Sequence, residues 1–232
     1  MGMFLRRGEA PHRTQLGDLA VGSTVKINVN GTPREFLVVH QGLPSSMYDA
    51  SCDGTWLLMQ DIYESRALHS SNVNKYESST LHSYLNSTFL NLFDSNIKDT
   101  IQQMKIPYRK NGGSGGTNQS GANGLSAKIF LLSGYEVGFT NSDSSSFPQD
   151  GAKLSYFESG KGTSANNKRI ARLNGSAADW WLRSPFMTNT YLMKCVYYDG
   201  NYSNEYPGNL IGIRPAFTLP STTIVGDDML IA

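Results

Sequence analysis

Apolar and polar positions alternate in two short blocks near the start of the chain. Val25-Lys26-Ile27-Asn28-Val29 has period two, the mark of a strand with one buried face. Asn30-Gly31 follows, the strongest short signal for a tight hairpin turn. Glu35-Phe36-Leu37-Val38-Val39 then reads as the returning strand, and Thr55-Trp56-Leu57-Leu58-Met59 as a third. The shortness of that last run and the Asp53-Gly54 before it favour a strand over a buried helix. The period then changes. Leu81, Tyr84, Leu85, Phe89 and Leu92 recur at helical spacing and form one apolar face behind an N-cap at Ser78 or Ser79. A second helix is predicted from Asp94 or Ser95, with Ile97, Ile101 and Met104 inward and Pro107 as its stop. Both helices are expected to pack on the sheet.

Residues 111–124 are almost entirely Gly, Asn and Ser. Ordering glycine is entropically expensive, so a mobile loop is predicted, one that a shorter link could replace with little loss of stability. Lys128-Ile129-Phe130-Leu131-Leu132-Ser133 reads as a buried strand. Long Ser/Asn/Gly loops run from Glu136 to Gly175, broken by a short segment around Leu154-Ser155-Tyr156-Phe157. A C-terminal β region begins at Trp180. No linker or internal repeat interrupts the pattern. It predicts one α+β domain over residues 16–220, with 1–15 and 221–232 as terminal extensions. Two helices would pack on a small, mostly antiparallel sheet with long irregular loops.

The residue types between 180 and 217 carry the functional signal. The segment opens with Trp180-Trp181-Leu182-Arg183-Ser184-Pro185 and closes with Gly212-Ile213-Arg214-Pro215-Ala216-Phe217. Between them lie Thr188, Asn189, Thr190, Tyr191, Tyr197, Tyr198, Asp199, Asn201, Tyr202, Ser203, Asn204, Tyr206 and Asn209, the candidate ligand-binding residues. Tyrosine offers large contact area at low entropy cost, and Asn, Ser and Gly offer adaptable hydrogen bonds, the combination that antibody paratopes use. Leu192, Val196, Ile211, Ile213 and Ala216 are expected inward. Tyr191, Tyr197, Asp199, Asn201, Tyr202 and Asn204 are expected to face solvent, with Gly200 and Gly208 allowing the turns. The tyrosines should then form one exposed patch. Arg183 and Arg214 precede Pro185 and Pro215, and a buried arginine fork holding loop carbonyls or a carboxylate is expected at these positions.

An Asn codon altered only at its adenines yields Tyr, Asp, Ser, Thr, His, Ile, Gly, Ala or Val, and most polar positions from 188 to 209 belong to that set. Ended by Gly-Ile-Arg-Pro-Ala-Phe, the pattern resembles the variable region of proteins diversified by retroelements through adenine-directed mutagenesis. The Trp-Trp-Leu-Arg-Ser-Pro and Gly-Ile-Arg-Pro-Ala motifs also resemble a domain widespread in gut bacteria and their phages. The resemblance implies a C-type-lectin-like fold with a variable region at about 186–211. It further implies a phage receptor-binding or bacterial surface-display role, and a protein or glycan partner on a cell surface. The alternatives are a carbohydrate-binding lectin-like module with a fixed ligand and, on the same fold, an enzyme resembling formylglycine-generating enzymes, which use a reactive cysteine pair.

Composition narrows these readings. Charged residues make up 17% of the chain, below the usual quarter, so a polar rather than charged surface is expected. The net charge of +1 gives no general attraction to nucleic acid or anionic membrane. No apolar run is long enough for a membrane span, and the basic start Met1–Arg7 lacks the apolar core of a signal peptide. Cys52 and Cys195 are too few for a disulfide framework, and free thiols are expected. His12, His40, His69 and His82 show no zinc spacing. Gly160-Lys161-Gly162-Thr163 lacks the order of a phosphate loop, and Asn141-Ser142-Asp143 and Asp227-Asp228 lack the closing Glu of a calcium loop. No acidic pair stands out for acid/base work. The expectation is a binding protein without metal or cofactor, not an enzyme.

Overall fold

A type I′ turn at Asn30 and Gly31, with φ of 53° and 69°, joins β1 (Thr24–Val29) to β2 (Thr32–Gln41) as the sequence predicts. The computed structural model describes residues 13–231; the basic start and His12 lie outside them. β3 (Thr55–Met59) pairs antiparallel with β2, and β4 (Glu64–Arg66) follows. Alternate residues of β2 and β3 serve two different cores. Phe36, Val38, Leu57 and Met59 enter one apolar cluster, and Leu37, Val39, Trp56 and Leu58 enter the other. This sheet is covered on both faces, which is why these strands read as unbroken apolar runs.

Ser79 caps α1 (Thr80–Tyr84), its side chain accepting from the His82 amide. The helical path then widens into a π segment at Leu85–Phe89 and tightens at Leu90–Leu92, while Leu81, Leu85 and Phe89 stay fully buried. α2 (Ser95–Thr100) is shorter than predicted. It buries Ile97, its C-cap Ile101 is buried just beyond it, and Met104 belongs instead to β5 (Met104–Ile106), ahead of Pro107.

The glycine-rich stretch is a correction. β6 (Tyr108–Lys110) pairs with β7 (Thr117–Gln119) as a hairpin, and Gly112 and Gly113 are buried. β8 (Leu125–Ala127) pairs with β5. Residues 129–133 are buried and Lys128 is half-buried, but they form no strand. Their backbone groups go to side chains: Asn86 serves Lys128 and Ile129, the Tyr76 hydroxyl accepts from the Leu131 amide, and Arg183 donates to the Leu131 carbonyl. Phe130 bridges to Ala216, and the Leu132 carbonyl accepts from the Arg183 amide, both partners lying on later strands.

A third helix, α3 (Thr163–Arg169), and a small hairpin of β9 (Arg172–Leu173) and β10 (Ser176–Ala177) lead into β11 (Trp180–Pro185). β12 (Met193–Val196), β13 (Tyr202–Glu205), β14 (Ile211–Ile213), β15 (Ala216–Leu219) and β16 (Leu230–Ile231) complete the chain. The main sheets are two five-stranded ones, ordered β15-β3-β2-β1-β16 and β13-β12-β11-β14-β4. The fold is α+β and mostly antiparallel, with parallel pairing at β1–β16 and β11–β14. The expected small sheet with two helices is corrected to two larger sheets and, among the described residues, three short α-helices. The segment after residue 220, expected as an extension, returns to the first sheet through β16.

Candidate functional site

Every residue of β11 is buried. Trp180 Nε1 donates to the Arg169 carbonyl and Trp181 Nε1 to the Arg66 carbonyl, both at 2.9 Å. Arg183 sits at the centre of the frame. Its guanidinium forks onto Glu136, at 2.5 Å to Oε2 and 2.6 Å to Oε1, and also reaches the Pro107, Leu131 and Asp150 carbonyls. Both charged side chains are fully buried. Burial opposes the Arg183 charge, but the Glu136 carboxylate more than offsets it and the net direction of its pKa is upward. Tyr48 donates to Glu136 Oε1 at 2.7 Å. Asp150 is fully buried with Ser184 Oγ donating to its Oδ2 at 2.7 Å, while its Oδ1 has no partner. Burial pushes this carboxyl up to about 7. Arg214 donates to the Met59 and Gln60 carbonyls, and burial lowers it to about 10. The expected arginine forks are therefore present at both motifs.

This frame carries the tyrosine-rich insert between β11 and β14. Asn74, which no periodicity marks, holds its first loop. Asn74 Nδ2 donates to the Asn189 and Leu192 carbonyls at 3.0 and 2.9 Å, and Asn74 Oδ1 accepts from the Gly113 amide. Ser114 N donates to the Asn189 carbonyl. A Cβ at Gly113 would collide with the Phe186 and Asn189 carbonyl oxygens. The glycine hairpin is thus a support of the insert rather than a free loop. Asn189 is structural as well: its Oδ1 accepts from the Tyr191 and Leu192 amides at 3.0 and 2.8 Å.

β12 and β13 form the body of the insert, with Lys194 opposite Asn204 and Val196 opposite Tyr202. Lys194 is buried, a residue that gave no signal in the sequence. Its Nζ donates to Ser146 Oγ at 2.7 Å and lies 4.3–5.0 Å from the ring centres of Phe147, Phe186 and Tyr202. Burial lowers it to about 8. Tyr202 packs edge-on to Phe139 and Phe147 and donates its hydroxyl to the Asp143 carbonyl at 2.9 Å. The expectation that Tyr202 faces solvent is corrected: it is half-buried and braces the 140–150 loop. Asn201 and Asn204, also expected in solvent, are half-buried too, and Asn204 Oδ1 is buried without a partner.

At the hairpin turn Asp199 is exposed, and its carboxylate accepts from the Asn201 amide and side chain, both at 2.9 Å. Gly200 adopts φ of 82°, which favours glycine, and its carbonyl accepts from buried Arg169 Nε at 2.8 Å. Of the inward expectations, Val196, Ile213 and Ala216 are fully buried, while Leu192 and Ile211 are half-buried. Ser203 and Asn189 are half-buried, and Thr188, Thr190 and Asn209 are exposed.

The exposed tyrosines do not form one patch. Tyr191 and Tyr206, 46% and 47% exposed, stack with centroids 6.1 Å apart and planes 19° from parallel. Tyr197 and Tyr198, 39% and 50% exposed, pack at 4.4 Å. The register places the first pair beside Met193 and Glu205 and the second beside Val196 and Tyr202. They lie at opposite ends of a four-residue hairpin, separated by roughly 10 Å or more of strand.

Cys52 and Cys195 are free, buried and in different core clusters. Burial raises both thiols, Cys52 to about 11. Among the described residues no cluster of three His, Cys, Asp or Glu is placed to hold a metal ion, and no helix is long and apolar enough to cross a membrane. No curated protein and no solved structure matches the chain. A family model does, over residues 53–221, from the start of the third strand through both arginine motifs. The chain belongs to the DUF6273 family, a domain of unknown function.

Proposed function

We propose that this protein is a noncovalent recognition module whose C-terminal insert binds a protein or glycan on a cell surface. One observation carries the reading. Four large tyrosines stand in solvent on a short hairpin whose base is pinned by fully buried Arg183, Glu136, Arg169 and Asn74. Keeping such rings in water on a rigid support is the arrangement of a surface that meets a partner. With the adenine-reachable residue types of the insert, this supports a retroelement-diversified variable protein on a C-type-lectin-like fold, displayed on a phage virion or a bacterial surface. No catalytic step is proposed.

A second reading has its own observation. Asn189 and Tyr202 are engaged by the fold, which leaves fewer free positions than full diversification of the insert would use. That favours a lectin-like module with a fixed ligand. Two tests separate these ideas. Immobilised protein should capture a component of gut-bacterial surface extract, and a variant with Tyr191, Tyr197, Tyr198 and Tyr206 all changed to Ala should lose it. Equal capture by both refutes recognition by the insert. Diversification further requires a near-copy of the segment encoding residues 186–217, with adenines at the differing positions, beside a reverse transcriptase gene.

A further inference from the structure

The turn that carries Tyr206 leads into Leu210, which lines a surface cleft. Asn209 N donates to the Tyr206 carbonyl, and the Leu68 and His69 amides both donate to the Pro207 carbonyl, so the turn is fastened to the segment after β4. Beside it opens a surface cleft of about 400 Å³ lined by Ser65, Arg66, Ala67, Ser70, Thr80 and Leu210. This lies within the size range of small-ligand sites, roughly 300–1,000 Å³. Five of these residues lie outside the insert. Only Leu210, at 72% the most exposed large apolar side chain among the described residues, comes from it.

The lining is uncharged apart from one residue, and that charge is already matched. Arg66 lies 3.7 Å over the Tyr84 ring, and its Nε donates to Glu64 Oε1 at 3.1 Å. Its terminal Nη groups have no acceptor among the described residues, so the fork is held in place with donors to spare. Ser65 and Ser70 are exposed, with hydroxyls that make no hydrogen bond among the described residues, and Thr80 donates to the Leu68 carbonyl while keeping its lone pairs. Tyr206 belongs to the turn that Leu68 and His69 fasten, and its near-parallel pair with Tyr191 offers an apolar face with polar hydroxyl tips. Hydroxyl donors and acceptors, a compensated guanidinium and a flat aromatic face together match a ligand that is itself rich in hydroxyls and carries apolar C–H faces.

We infer that this cleft, with the Tyr191–Tyr206 pair, binds the ring of a neutral sugar in a glycan chain. The inference rests on the recognition reading above and narrows its partner: a fixed cleft takes the sugar while the insert's tyrosines contact the next unit. The compensated charge of Arg66 gives no preference to acidic glycans.

The test is an array of neutral and acidic oligosaccharides probed with the full chain. Wild type should retain neutral members. Ser70→Trp, which fills the cleft, and Tyr206→Ala, which removes the platform, should each weaken binding at least about tenfold, while Tyr198→Ala at the far end should stay within about twofold. Thr80→Val, which removes one hydroxyl at nearly constant volume, gives a second reading of the cleft should Ser70→Trp melt early. No neutral member bound, acidic members only, or binding indifferent to both cleft variants would overturn the inference. Periodate treatment of the surface extract, which cleaves vicinal diols of sugars, separates the two levels. Capture that survives periodate but fails in the four-tyrosine variant rejects the sugar and keeps recognition by the insert. Capture unaffected by the four-tyrosine variant rejects both.

Discussion

Replacing Asp150 by Asn should change the pH dependence of stability in a direction opposite to that of an ordinary salt-bridged aspartate. The folded carboxyl titrates near 7 because burial penalises its charge, although Arg183 and Ser184 favour the ionised form. In the unfolded chain it titrates near ~3.9. Between these values the folded state holds a proton that the unfolded state has lost. The stability linked to that proton is fully present below the unfolded value and falls as pH rises through the folded one. A shift of about three pH units corresponds to roughly 4 kcal/mol between pH 4 and pH 8. Asn keeps the shape and the Ser184 contact but cannot titrate. Its amide at the unpartnered Oδ1 position adds an offset of about 1–3 kcal/mol that does not vary with pH. Urea melts of both proteins at pH 5, 6, 7 and 8 give the difference directly, and groups common to both cancel. The wild type should lose stability relative to Asp150→Asn across this range, with the steepest change below pH 7. A difference that is flat with pH, or that moves the other way, refutes the assignment of a proton to this buried carboxyl.

Three further outcomes follow from the packing. Glu136→Gln leaves the Arg183 charge without its carboxylate inside the frame and should cost roughly 3–5 kcal/mol in a denaturant melt. A loss below about 1 kcal/mol would mean that the pair is solvated in solution. Tyr202→Ala should cost about 2–3 kcal/mol because it leaves Phe139 and Phe147 uncovered, whereas Tyr198→Ala should stay within about 0.5 kcal/mol; similar losses in the two melts would contradict their different burial. Gly113→Ala should destabilise by about 1–3 kcal/mol by forcing the Phe186 and Asn189 carbonyls apart, and an unchanged melting temperature would show that the hairpin does not support the insert.

Local signals in the sequence located the elements whose physics is local. The period-two run, the Asn30-Gly31 turn and the Ser79 cap act over a few residues, and each appears where its pattern places it. The arginines before Pro185 and Pro215 were legible because a guanidinium in an apolar motif must find acceptors. What escaped was held by long-range polar contacts. Lys128–Ser133 looks like a strand by composition, yet its backbone is satisfied by Asn86, Tyr76 and Arg183 from distant segments. The glycine hairpin gains order from Asn74 and Asn189, neither adjacent to it in sequence. Tyr202 carries the same side chain as Tyr198, and only the cover of the 140–150 loop separates a bracing ring from an exposed one. The cleft beside Leu210 joins residues from β4, α1 and the insert, so no spacing could announce it.

The pairing of β16 with β1 bears on the time course of folding. Lys26 and Ile27 lie beside Leu230 and Ile231, almost the full chain away, and β3 pairs with β15 across most of that span. Contacts so distant in sequence give a high contact order, and such chains fold slowly. On the ribosome β1 and β2 can form their hairpin early, but the free edge of β1 and the β15 side of β3 stay open until β15 and β16 emerge. During that interval β1 and the apolar strand Trp56–Met59 each lack one final neighbour. The insert precedes β15 and β16 in the chain, so each residue added to it lengthens the interval in which the sheet stands unfinished.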